Sequence, residues 1–67
     1  MKDSELIRLL GSYCVTLKRS GHSHDLYYSP ITGKTFPVPR HPSQEVRTGT
    51  LEAILRQAGI ERSAAYA

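Results

Sequence analysis

The stretch SPITGKTFPVP, residues 29–39, holds a chain reversal and the strand that follows it. Within it PITG, residues 30–33, sets a proline with its fixed φ and a glycine where a hairpin would turn. Phe36 and Val38 then alternate with Thr35, Pro37 and Pro39, the period of a half-buried strand. Pro37 offers no N–H to a ladder, which puts this third strand at a sheet edge. Reading backward, His22, His24, Leu26 and Tyr28 fall on one face of a preceding strand, and Ser23, Asp25, Tyr27 and Ser29 on the other. One tyrosine therefore faces the core and the other solvent. The alternation allows either assignment, and a bulge near Gly21 would exchange them. Under both, His22 and His24 share a face. Earlier still, Val15 and Leu17 alternate with Cys14, Thr16 and Lys18, which predicts a first strand and completes a three-stranded antiparallel meander.

Outside the meander the apolar period lengthens. Leu6, Leu9, Leu10 and Tyr13 recur at i, i+3, i+4 and i+7, with Ile7 widening the stripe, so a helix is expected over about residues 4–12. Asp3 or Ser4 can cap its start, Glu5 suits the first turn, and Gly11 is a place where it could end early. Leu51, Ile54, Leu55 and Ala58 repeat the spacing in a second helix. Thr48 fits its N-cap, Glu52 and Arg56 an i,i+4 pair, and Gly59-Ile60 a glycine stop with an apolar contact back to Leu55. Residues 61–67 carry little reason to be ordered and are expected to fray beyond a single domain spanning residues 1–60. The fold class is α+β: helix, three-stranded antiparallel sheet, helix, with both helices on one sheet face. The other face is left to solvent or a partner.

Composition narrows the function classes. A chain of 67 residues buries only a thin core and leaves no room for a cofactor-binding fold. The single cysteine, Cys14, excludes an internal disulfide and a Cys₄ or Cys₂His₂ zinc site, and fits a reducing compartment. The start MKDSELIRLL interrupts its apolar residues with charges, unlike a signal peptide or a membrane span, so a soluble cytoplasmic protein is expected. Nine Lys and Arg against six Asp and Glu give a net charge of +3, which favours polyanion partners. Lys18, Arg19, Lys34, Arg40 and Arg47, with His22, His24 and His41, crowd the middle of the chain, where Asp25 and Glu45 are the acids.

Four segments carry a family resemblance: SELIRLL at 4–10, SHDLYYSP at 23–30, VPRHPSQEV at 38–46 and GTLEAILRQAGI at 49–60. Together they resemble the HicA family of bacterial toxins, small messenger-RNA endoribonucleases with a fold like the double-stranded RNA-binding domain. The resemblance implies a second strand opening on Gly-Ser-His and followed by an aromatic, with that histidine catalytic. Gapless alignment of SHDLYYSP gives the catalytic role to His24 and the aromatic position to Tyr27. Two departures stand out. The glycine is Gly21, with His22 just before the serine, and the Gly-aromatic pair that opens the family's first strand is replaced by Cys14-Val15.

The chemistry so implied needs a proton acceptor for a ribose 2′-hydroxyl and a donor for the departing 5′-oxygen, which a near-neutral imidazole supplies without a cofactor or metal. One positioned acid or base contributes about 10²–10⁴-fold, so a slow enzyme is expected. Candidate RNA contacts are Lys18, Arg19, His22, Tyr28, Lys34, Arg40 and Arg47. Of these, Lys18, Arg19 or Arg40 could offset phosphate charge, Tyr28 could stack on a base, and Arg47 could join a helix N-terminus. His41, before Pro42, reads as an extended structural loop residue. A metal site on His22 and His24 lacks a third ligand, since Asp25 points away. The implied partners are messenger RNA and a HicB-like antitoxin that covers the basic face. The competing reading is a non-catalytic module for single-stranded RNA, the chain lacking a long basic loop that would span a duplex.

Overall fold

The computed structural model describes residues 1–40 and 44–66. Helix α1 (Asp3–Ser12) leads into strands β1 (Thr16–Ser20), β2 (His24–Tyr28) and β3 (Thr35–Pro39), followed by helices α2 (Thr48–Ala58) and α3 (Arg62–Tyr66). The sheet is antiparallel in the order β1-β2-β3, so Pro37 does lie on an edge strand. The hairpin closes where expected, with Gly33 N–H donating to the Ser29 carbonyl at 2.8 Å and Ser29 N–H to that of Lys34 at 3.0 Å. Phe36 and Val38 are fully buried and meet Leu6 and Leu10 of α1 and Leu51, Ile54, Leu55 and Ala58 of α2 in one apolar core. Of the described residues, no helix is long and apolar enough to cross a membrane.

Both long helices stop in the same way. At the end of α2, Gly59 (φ 79°) adopts the left-handed conformation, its N–H reaches the Leu55 and Arg56 carbonyls, and Ile60 N–H reaches Leu55 at 3.0 Å. Ile60 is then buried against the core, completing a glycine-stopped helix end. A Cβ on Gly59 would come within 2.7 Å of Ile31 and 2.8 Å of Thr32. The helix end is thus seated on the β2–β3 turn, and hydroxyls of that turn satisfy its last carbonyls: Ser29 Oγ donates to Ala58 at 2.5 Å and Thr32 Oγ1 to Gln57 at 2.6 Å. In α1 the residue in the glycine position is Cys14 (φ 64°), with its N–H on Gly11 and Val15 N–H on Leu10 at 3.0 Å. Gly11 does not end the helix early.

Four local expectations are corrected. The cap position of α1 is Lys2 rather than Asp3 or Ser4, because a bridge between Lys2 and Glu45 docks the chain start, with Asp3 N–H donating to Gln44 at 2.9 Å. Glu5 then accepts the Lys2 N–H at 2.8 Å. Likewise α2 has Arg47 at its cap position, and Thr48 is its first residue. The first strand begins at Thr16, since residues 13–15 finish the helix stop; Val15 is buried there instead. Finally, Glu52 holds Arg62 of α3 at 3.3 Å instead of pairing with Arg56, and Ala64 and Ala65 of α3 pack on the core.

Candidate active site

His24 is the first residue of β2, and its two edges differ. Toward β3 it pairs with Pro39, whereas toward β1 the ladder ends at Ser20 and Asp25, one residue short of it. Residues 21–23 therefore cross the end of the sheet outside the ladder. Any Cβ on Gly21 would collide with the His24 carbonyl oxygen, so glycine is required for this close crossing. The His24 side chain is exposed, with Nδ1 3.1 Å from Ser23 Oγ. Either atom donates, depending on the ring tautomer, and the contact holds the ring against the residue before it.

The tyrosine question resolves in favour of Tyr27 as core, at 9% exposure, with Tyr28 outward at 37%. Burial, reinforced by the nearby Asp25 and Asp3 carboxylates, raises the Tyr27 hydroxyl above its usual pKa of 10.0. His24, Leu26 and Tyr28 consequently run along the outer face. His22 does not share it through strand alternation, because β2 starts two residues later and His22 sits in the exposed crossing.

On β1 an irregularity between Leu17 and Arg19 leaves Lys18 without a direct partner. The extra residue lets the ladder resume with Arg19 opposite Leu26, and so turns Arg19 onto the outer face. Lys18 is on that face too, with Nζ 5.6 Å from the Tyr28 ring centroid. Leu26 lies two residues from His24, about 7 Å along the strand, and Tyr28 about 13 Å. His24, Arg19, Lys18 and Tyr28 are thus brought together on one exposed surface.

The remaining candidates lie elsewhere. Lys34 follows the hairpin turn at the far end of the sheet, and Arg47 precedes α2 beside a shallow depression it shares with Pro39, Asp3 and Thr50. Arg40 is engaged: its Nε and Nη2 donate to Asp25 Oδ1 at 3.0 and 2.5 Å, and Nη2 also donates to the Gly21 carbonyl. The Asp25 hydrogen bond and charge raise the guanidinium's already high pKa. His41 lies outside the described residues. Asp25 was missed by the sequence reading, although an acid on the core-facing side of a small sheet signals a need for a cation. Among the described residues no three His, Cys, Asp or Glu side chains gather as a metal site would require.

An exposed imidazole on a sheet face that also carries two cations and an aromatic ring suits proton transfer at a phosphodiester. The model of the HicA toxin of bacterial toxin–antitoxin matches residues 4–60. The chain belongs to the HicA toxin family. A curated relative, the "Probable mRNA interferase HicA 1" of Photorhabdus laumondii subsp. laumondii, is 37% identical over 60 residues, covering 90% of this chain and all of the relative. No solved structure matches the chain. Within the HicA frame the Cys14 departure becomes intelligible. The backbone there keeps the left-handed conformation that a glycine would favour, with a larger side chain on it.

Proposed function

We propose that this HicA-family chain is an endoribonuclease toxin that cleaves messenger RNA, with His24 as its general acid and base and a HicB-like antitoxin as its inhibitor. The observation that carries the reading is the placement of His24: exposed at the head of β2, on the face bearing Lys18, Arg19 and Tyr28. The relative named as an mRNA interferase supports the reaction class.

In the reaction, neutral His24 takes the proton of the ribose 2′-hydroxyl, the 2′-oxygen attacks phosphorus, and the bond to the 5′-oxygen breaks. The imidazolium, now holding the proton, returns it to the leaving 5′-oxygen. The products are a 2′,3′-cyclic phosphate and a 5′-hydroxyl, and proton transfer at one imidazole suffices for the balance. Arg19, opposite Leu26, stabilises the charge that grows on the phosphoryl oxygens, while Tyr28, with Lys18 over its ring and about 13 Å from His24, offers a stacking surface and a phosphate contact for a neighbouring nucleotide. An open basic face of this kind also suits an acidic inhibitor surface, which would cover His24 and exclude RNA.

The test compares purified wild type with His24→Ala on a defined messenger, reading cleavage rate, end chemistry and RNA binding. Cleavage should fall about 10²–10⁴-fold, with binding and the circular dichroism spectrum retained. Equal cleavage by both proteins would refute the role of His24. Binding with no cleavage by either would leave a single-stranded RNA-binding module.

A further inference from the structure

We infer that Arg40 is a positioning residue for His24, not a phosphate ligand: through Asp25 and Gly21 it ties the end of β3 to the crossing that carries the catalytic histidine. This rests on the reading of His24 given above. Arg40 follows Pro39, the strand partner of His24, and so leaves β3 beside the point where His24 enters the sheet. Its guanidinium reaches two targets at once, the Asp25 carboxylate and the Gly21 carbonyl. Asp25 is the immediate neighbour of His24 and points to the other side of the strand, where its side chain is 14% exposed. Gly21 is the residue whose Cα abuts the His24 carbonyl. Both contacts therefore bear directly on the His24 backbone, one through the next residue and one across the gap where the β1–β2 ladder has already ended.

Geometry also separates this role from phosphate binding. The planar guanidinium fork can serve a carboxylate and a carbonyl together, which a lysine's single ammonium does poorly. Its charge is met by Asp25, so the net cation presented to RNA comes from Lys18 and Arg19 on the outer face.

Four variants decide between the two roles: Arg40→Ala, Arg40→Lys, Asp25→Asn and the double variant Arg40→Ala/Asp25→Asn, each read for kcat and KM. Positioning predicts that all of them lower kcat by about tenfold to a hundredfold with KM little changed. The double variant should be no worse than Arg40→Ala, since one unit is broken once. Phosphate binding predicts the opposite pattern: Arg40→Ala raises KM, Arg40→Lys restores it, and Asp25→Asn tightens RNA binding by releasing the cation. That pattern would overturn the inference.

Amide hydrogen exchange of residues 21–24 in the folded Arg40→Lys and Asp25→Asn proteins supplies a readout independent of catalysis. Exchange about tenfold faster there than in wild type, with the core amides unchanged, supports the tether, and unchanged exchange refutes it. Should His24→Ala cleave like wild type, the catalytic reading fails while the exchange result still judges the tether.

Discussion

Replacing Cys14 by glycine should make the protein more stable. Cys14 is exposed and holds φ at 64°, at the position where α2 uses Gly59 to stop. The left-handed conformation costs an L-residue roughly 1–2 kcal/mol through the approach of Cβ to the following carbonyl. Glycine escapes that cost but loses about 0.5–1 kcal/mol more backbone entropy on folding than alanine does. The difference is a net gain of about 1 kcal/mol, which for a domain of this size raises Tm by roughly 4–8 °C. Cys14→Ala is the necessary comparison, because it removes the sulfhydryl while keeping the Cβ and its strain, and should match wild type to within about 0.5 kcal/mol. Thermal and urea unfolding of all three give the ordering glycine above alanine and wild type. At an ordinary helix or strand position that order reverses. If glycine proved equal to alanine or less stable, the argument from φ would be refuted.

Ser29→Ala should destabilise the fold by about 1–3 kcal/mol in urea titration, since the buried hydroxyl donates to Ala58 and accepts from Ile31 N–H at 3.3 Å. A loss under about 0.5 kcal/mol would mean that water replaces both bonds. Tyr27 supplies a pH test. Its folded pKa is raised above 10.0, so the stabilisation it provides is complete below that pH and is lost as pH climbs through the folded value. Tyr27→Phe should flatten the alkaline limb of stability measured from about pH 9 to pH 11, and an unaltered limb would contradict the assigned burial.

The parts of this fold that follow local rules are legible in the chain. Phe36 and Val38, the 30–33 turn and the stripe from Leu51 to Ala58 announce themselves by period and by proline or glycine placement. What escaped reading depends on partners distant in sequence. Lys2 takes the helix cap because Glu45 pairs with it, and Tyr27 rather than Tyr28 turns inward because ladder register chooses between two equivalent faces. The irregularity at Lys18 carries no glycine or proline to mark it, yet it brings Arg19 to the face of His24. For the candidate site, His24 is singled out by the family resemblance rather than by its spacing, while the pairing of Arg40 with Asp25, fifteen residues apart, has no local signal in the chain.

The crossing at residues 21–23 and the His24 side chain lie wholly outside the apolar core. A substitution of His22, Ser23 or His24 therefore leaves the packing of Phe36, Leu6 and Leu55 untouched. With His24 as the proposed catalytic group, a single base change at its codon would silence the protein without sending it to proteases. Selection against the toxin would then enrich folded, inert copies that still occupy the antitoxin, and so alter the dose of inhibitor left for any active copy in the same cell.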